Sequence, residues 1–453
     1  MSRKVIAFSD KAHRSYDIWA HGILVIMIAI YTMYFMVRLN FSLAMPFIQQ
    51  ALNYTKTDMG LIITASFFVF GIGKFVNGMF SEILRPKTFL AIGLLGSSLA
   101  NILFANTTSL TSLTIVWSIN SFFQSLAWPQ CVRLMKEWFS PLQMGTRWAV
   151  VSLANQGGSI IIFAFFTFII DAYGWQASFI APGIIGIICA FITMALPLEV
   201  PAQLGIYSVE KRHGLREEDV LTPKKNSPLH LSWDILKEVL TNRLIWYVSL
   251  STFFLYIVKA GFCAWGPTFL KEARALPLRE VGWQMIAFEI AGVIGSLTAG
   301  WVSDKIFSGR RGPVGAIYML TLAVLFTVLA FSSGNSKILD VSILIGIGFM
   351  IFGPQIMVGA ASVDFSSKRS AVAANGFVGF FGYFGSSFVS GLGIGHITDT
   401  YGWKAAFGIF VASAFLAALF FALIWKQRST ALIKKEPADE SSKNSMRKKA
   451  VNT

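Results

Sequence analysis

Tyr31-Thr-Met-Tyr34-Phe35-Met-Val-Arg38-Leu39-Asn40-Phe41-Ser-Leu-Ala-Met-Pro46 places an arginine inside a long apolar segment, flanked by aromatics. A guanidinium in hydrocarbon costs about 2.5–3.5 kcal/mol on insertion scales, so it persists only where it faces a partner, a cavity or a ligand. A second stretch, Tyr256-Ile-Val-Lys259-Ala-Gly-Phe262-Cys-Ala-Trp265-Gly-Pro267, repeats the arrangement. Arg38 and Lys259, Phe41 and Phe262, and Pro46 and Pro267 are each 221 residues apart. The two stretches are therefore taken as equivalent helices of two halves, each bringing one cation to a shared site.

Composition agrees with a chain that crosses a bilayer many times. Of 453 residues, 55% are hydrophobic and only 13% charged, with a mean hydropathy of +0.61. Soluble chains of this length do not have that balance. Cys131, Cys189 and Cys263 all fall in apolar segments, with no CxxC and no Cys/His cluster. Neither a disulfide framework nor a metal site is indicated, and no cofactor is expected. The first apolar run begins near residue 20, is too long for a signal peptide and has no small-residue cleavage site after it, so it is expected to stay as a helix.

Stretches long enough to span a bilayer occur near 20–46, 59–81, 88–106, 111–134, 146–170 and 176–197, and again near 244–270, 281–303, 313–333, 339–363, 370–398 and 403–425. This predicts an all-α membrane protein of twelve transmembrane helices. Its parts are an N-terminal segment 1–19, a six-helix bundle 20–198, a polar linker 199–243, a second six-helix bundle 244–425 and a basic tail 426–453, expected to be disordered. Of the 38 Lys and Arg, 29 lie in the termini and the loops on their side, 6 in the opposite loops, and three within spans: Arg38, Lys74 and Lys259. The positive-inside rule then puts both termini in the cytoplasm. The formal net charge of +15 thus reflects topology plus a site, and no nucleic-acid surface.

Further pairs support the repeat. Gly78-Met-Phe-Ser-Glu82 matches Gly300-Trp-Val-Ser-Asp304 at an offset of 222, and Pro129-Gln130 matches Pro354-Gln355 at 225. Asp171-Ala-Tyr-Gly174-Trp175 matches Asp399-Thr-Tyr-Gly402-Trp403 at 228. An even number of spans per half makes the halves parallel, as in major facilitator transporters.

Three intramembrane cations and one deep acid, Glu289, leave a site of about two net positive charges, suited to a dianion such as a phosphate ester. Arg offers a bidentate fork to phosphate and Lys a point charge. Snorkelling or a structural Lys259–Glu289 pair are the competing explanations. Tyr31, Tyr34 and Phe35 lie a turn or two before Arg38, and Trp128, just before Pro129, is expected to break span 4. These four are candidates for the organic part of a ligand, or equally for bundle packing. Gly157, Gly158, Gly376, Gly379, Gly382 and Gly385 are expected to allow close helix packing. Glu82 with Arg85, and Asp304 with Arg310 and Arg311, form charged cytoplasmic turns able to latch two bundles.

These residues resemble the organophosphate:inorganic phosphate antiporter family of the major facilitator superfamily. The resemblance runs from Tyr31 to about Ile424. It is carried by Tyr34-Phe-Met-Val-Arg38, Gly73-Lys74-Phe75, Trp128-Pro129-Gln130-Cys131, Trp138-Phe-Ser-Pro141 with Gly145-Thr-Arg-Trp-Ala149, Lys259 with Trp265-Gly-Pro267, Phe288-Glu289-Ile-Ala-Gly292 and Gly353-Pro354. It implies a twelve-helix carrier that exchanges a sugar phosphate for inorganic phosphate by alternating access. The glycerol-phosphate branch has arginine at the position of Lys259 and histidine where Ala154 aligns. It also has a basic residue at Leu39 and an acid at Ala264. Lys259 and the Gly145-Thr-x-Trp-Ala run are instead similar to the glucose-6-phosphate transporter, which tilts the substrate towards a hexose phosphate.

The expected partners are therefore a small phosphorylated metabolite, inorganic phosphate and the lipid bilayer, with the protein a monomer in a bacterial inner membrane. A transporter-like sugar-phosphate sensor and a proton-coupled symporter using Glu289 or His396 remain alternatives. An enzyme is not expected, because Glu289 and His396 alone are too few acid–base groups within the spans.

Overall fold

In the computed structural model, residues 10–80, 85–139, 144–198, 233–332, 334, 336–367 and 370–427 are described, and among them every regular element is a helix. The elements are α1 (Asp10–Leu52), α2 (Lys56–Phe80), α3 (Pro86–Ala105), α4 (Leu110–Gln124), α5 (Ala127–Trp138), α6 (Met144–Ile161), α7 (Thr167–Tyr173), α8 (Ala177–Ala195), α9 (Trp233–Thr241), α10 (Arg243–Glu272), α11 (Leu278–Lys305), α12 (Arg311–Phe331), α13 (Lys337–Asp364), α14 (Ala371–Ser387) and α15 (Ile394–Leu423). Ten stretches are long and apolar enough to cross a membrane, the last being the 51-residue stretch Ala373–Leu423. That stretch runs through Gly402, whose backbone is not helical (φ 78°, ψ 177°), and so holds two spans. Span 4 is divided between α4 and α5, each below spanning length. Counting these gives the twelve spans expected from hydropathy.

The break in span 4 falls at Ser125–Leu126, three residues before Trp128. Pro129 explains the position. Its nitrogen cannot bond the carbonyl four residues back, which is that of Ser125, and its ring crowds that carbonyl. Ser125 is then used for packing: its Oγ accepts from Asn77 Nδ2 of α2 at 2.7 Å.

The internal repeat is visible in the backbone. Gly174 (φ 81°, ψ 172°) ends α7, and its counterpart Gly402 takes the same conformation. That region favours a residue without Cβ. The halves also share a π-helical turn, Ile162–Phe166 in span 5 and Phe388–Gly393 in span 11.

Two compact units divide the chain: Met1–Pro228 with Cys263–Glu289 and Gly391–Asp399, and Leu229–Phe262 with Ile290–Ser390 and Thr400–Thr453. In unit 1, each π turn lies against a helix start. A Cβ added at Gly60 of α2 would stand 2.6 Å from Gly391 O, and one added at Gly282 of α11 would stand 2.8 Å from Phe163 O. Gly60 and Gly282 are 222 residues apart, the repeat offset. Thr64 Oγ1 accepts from Leu392 N at 2.8 Å, closing the first of these contacts.

α9 lies in the stretch expected to be a polar linker. Asn242 caps α10 by accepting from Leu244 N at 3.0 Å and donates to Phe365 O at 2.9 Å. The N-terminal residues 1–9, most of the linker and the tail from 428 lie outside the described residues.

Candidate functional site

In unit 1 the site begins with how α1 is held. Val37 O accepts from Asn101 Nδ2 at 2.8 Å and from Asn120 Nδ2 at 3.2 Å. Tyr34 O accepts from Gln124 Nε2 at 3.0 Å, and Asn40 Nδ2 donates to Asn101 Oδ1 at 2.7 Å. Ser97 Oγ joins this network through Asn120 and Gln124. All five side chains are buried. Amides buried in this way are costly unless bonded, so the network fixes the rotation of α1 about its axis. Residues 34, 37 and 40 turn into it. Tyr31, Phe35 and Arg38, spaced i, i+4 and i+7, share a neighbouring face.

On that face the Arg38 guanidinium lies 4.2 Å from the centroid of the Phe70 ring of α2. Among the described residues no hydrogen bond or ion pair reaches it. Lys74, four residues beyond Phe70, projects from the same side of α2 and is half-buried. Tyr31 meets Phe35 edge-on at 5.0 Å and Trp128 at 5.4 Å. These three candidates are thus brought together, and Gly158 lets α6 approach them closely, since a Cβ there would stand 2.5 Å from Phe35 Cβ. Tyr34 does not join them. It is 1% exposed, and its hydroxyl donates to Leu90 O at 2.7 Å, which makes it a packing residue of the α1–α3 contact.

In unit 2, Lys259 Nζ donates to Gln355 Oε1 at 2.5 Å. It lies 5.1 Å from the Phe352 ring and 5.7 Å from that of Tyr256. Phe352 is seated by Gly292, where any Cβ would enter its ring. Of the span-11 glycines, Gly382 and Gly385 do permit close packing on Tyr256 and Phe253, whereas nothing lies within 4 Å of a Cβ at Gly376 or Gly379. Glu289 of α11 is buried in unit 1. His396 is exposed on α15.

In the charged turn after α11, Asp304 finds Arg311, and a further acid joins them within unit 2. Arg311 pairs with Asp304 at 2.6 Å and donates to Ser303 Oγ at 2.9 Å. It also pairs with Asp364 at 3.2 Å. Asp364 was not foreseen, because it closes α13, more than fifty residues on. Arg85 is exposed at the start of α3, and Glu82 lies outside the described residues.

A second charged cluster was also unforeseen. Asp399 accepts from Lys56 N at 3.2 Å, Thr57 N at 2.7 Å and Thr57 Oγ1 at 2.7 Å. Lys56 Nζ pairs with Glu272 at 3.1 Å and lies 3.8 Å from Asp399. The cluster borders a cavity of about 430 Å³ that Tyr54 and Lys271 also line. In the sequence Asp399 stands out only as a member of the repeated Asp-x-Tyr-Gly-Trp run, and Lys56 only as one of the six basic residues in the sparsely charged loops.

Comparison with known proteins agrees with this architecture. A bacterial homologue of the human lysosomal transporter Spinster superposes with a TM-score of 0.72 over 90% of this chain and 97% of its own, at 13% identity. The fold is that of a major facilitator transporter. The Major Facilitator Superfamily model matches residues 26–390. A probable hexose phosphate transport protein of Chlamydia pneumoniae is 34% identical over 433 residues, covering 93% of this chain and 94% of its own. The glycerol-3-phosphate transporter of Bacillus subtilis is 33% identical over 87% and 90%. The membrane sensor protein UhpC of Escherichia coli is 31% identical over 89% and 92%. The chain belongs to the organophosphate:inorganic phosphate antiporter family of the major facilitator superfamily, a family of multi-pass membrane carriers and not of enzymes.

Proposed function

We propose that the protein is a secondary transporter that exchanges a hexose phosphate, such as glucose 6-phosphate, for inorganic phosphate by alternating access. The observation that carries this reading is Arg38. A guanidinium held within a span, with no hydrogen-bond or ion-pair partner among the described residues, an aromatic face against it and Lys74 on the same side of α2, is a cation suited to an anion. Arg38 would supply the bidentate fork and Lys259 a point charge, with Tyr31, Phe35 and Trp128 beside the sugar. Glu289 would neutralise Lys259 when no anion is bound. Identities of 34% and 33% do not separate a hexose-phosphate from a glycerol-phosphate carrier; the preference for hexose rests on Lys259 and the Gly145-Thr-x-Trp-Ala run. Organisation as two six-helix halves, a bacterial inner membrane, cytoplasmic termini and a monomeric state belong to the same proposal.

The test is counterflow. Proteoliposomes loaded with phosphate should take up labelled glucose 6-phosphate, and empty ones should not. Rapid uptake into phosphate-free vesicles under an imposed proton gradient would refute exchange and favour a symporter. The likeness to the sensor UhpC supports one second reading. Binding of glucose 6-phosphate without any exchange would decide for it.

A further inference from the structure

The repeat pairs Arg38 with Lys259 and Gln130 with Gln355, at offsets of 221 and 225. In unit 2 the cation and its carboxamide are joined: Lys259 Nζ donates to Gln355 Oε1. In unit 1 both members are present but unused. Arg38 rests on the Phe70 ring. Gln130 is fully buried, and neither its Oε1 nor its Nε2 has a hydrogen-bond partner. Among the described residues it is the one buried carboxamide with both ends bare. Gln49, Gln156, Gln284 and Asn40 each leave only the oxygen so.

A buried bare carboxamide destabilises the state that contains it, because two donors and two acceptor lone pairs have left water for nothing. Such a group is kept where another state uses it. Arg38 of unit 1 is a donor that no hydrogen bond or ion pair reaches among the described residues. Its fork has five N–H groups, of which a phosphate engages two on one edge. The Phe70 face accepts none of the remainder.

We propose that Gln130 is the positioning residue for Arg38: in the phosphate-bound protein its Oε1 accepts from the guanidinium, as Gln355 accepts from Lys259, and so aims the fork at the phosphate. This rests on the reading of the protein as a phosphate-ester carrier. Gln130 touches no ligand itself. It sets the orientation of the group that does. Both carboxamides follow a proline, Pro129 and Pro354, at the offset of 225, although Gln130 lies in the first turn of α5 and Gln355 well inside α13.

The test uses the purified full-length protein, with glucose 6-phosphate and inorganic phosphate as probes, followed by calorimetric binding, thermal unfolding and exchange kinetics. Gln130→Met should unfold at or above the wild-type temperature without ligand, since the bare carboxamide is gone. It should bind both probes about tenfold more weakly, the scale of one hydrogen bond to a charged group. Its KM should rise more than its kcat falls. Gln130→Glu should bind worse than Gln130→Met, because a carboxylate there would hold Arg38 as an ion pair. Wild-type affinity in Gln130→Met, or Gln130→Glu binding no worse than Gln130→Met, would overturn the assignment while leaving the carrier reading intact. A wild-type protein that binds neither probe would overturn both. If Gln130→Met does not fold, the Glu variant alone still decides, since wild-type affinity there is incompatible with an Arg38 contact.

Discussion

Replacing Asp399 with alanine should loosen the start of α2 without unravelling it. α2 begins with its own capping box: Thr55 Oγ1 accepts from Asp58 N at 3.1 Å, and Asp58 Oδ2 accepts from Thr55 N at 2.9 Å. That box is local and survives the substitution. Asp399 serves the next two donors, Lys56 N and Thr57 N, and the Thr57 hydroxyl. A partly buried carboxylate on the positive end of a helix is worth about 1–2 kcal/mol. The Lys56 contact at 3.8 Å, with both side chains about a quarter exposed, adds at most roughly 0.5 kcal/mol. The loss of about 2 kcal/mol corresponds to about a thirtyfold change in an opening equilibrium. Hydrogen exchange of a peptide spanning 55–62 reads it directly, because the amides that lose their acceptor are those that exchange. Protection there should fall between tenfold and thirtyfold in Asp399→Ala and by less in Asp399→Asn, which keeps an acceptor oxygen. If α2 exchanges at the wild-type rate in the Ala variant, Asp399 does not hold it.

Three further outcomes are expected. Arg38→Ala should abolish binding of glucose 6-phosphate in calorimetry while leaving the unfolding temperature near wild type. Two charge-assisted hydrogen bonds at about 1.5–3 kcal/mol each exceed a hundredfold in affinity, and Arg38→Lys should be nearly as damaging because it lacks the fork. Lys259→Arg should keep substantial exchange and Lys259→Ala should not; equal rates would make Lys259 a structural partner of Gln355. Glu289→Gln should change the exchange rate at saturating substrate more than the affinity, and a normal rate would remove Glu289 from coupling.

Much of the fold was legible because a bilayer imposes it. Length and hydropathy alone place most spans within a few residues, although α1 runs from Asp10 to Leu52 where 20–46 was expected, and the repeat predicts two glycines, Gly174 and Gly402, that take the same left-handed turn. The Asp304–Arg311 pair was legible because its members are seven residues apart. What was not legible depends on which helices face each other. Asn101, Asn120 and Gln124 carry no sequence signal that they meet the backbone of α1. Tyr34 and Tyr31 look alike in the sequence, and only the Leu90 carbonyl distinguishes them. Asp399 and Lys56 are 343 residues apart, and nothing local in either segment announces the other. The π turns are also hidden, since one extra residue in a turn leaves hydropathy unchanged.

The same separation of causes explains why one arginine in an apolar span is informative here. α1 has hydrogen-bonded partners for its backbone at Tyr34 and Val37 and for the side chain of Asn40. The helix could therefore be fixed in place by neutral amides alone, and Arg38 adds nothing to that network. A charge whose packing in this structure is the face of Phe70, and that is expensive to keep in hydrocarbon, fits the proposed role of binding an anion. Lys259 makes the contrast. It is already held by Gln355, so its truncation should disturb local structure as well as binding. Arg38 truncation should disturb binding alone. The two cations of the repeat are thus separable by experiment: a ligand-free unfolding temperature that falls for Lys259→Ala but not for Arg38→Ala is the result this reasoning requires, and equal falls would mean that Arg38 has a structural partner after all.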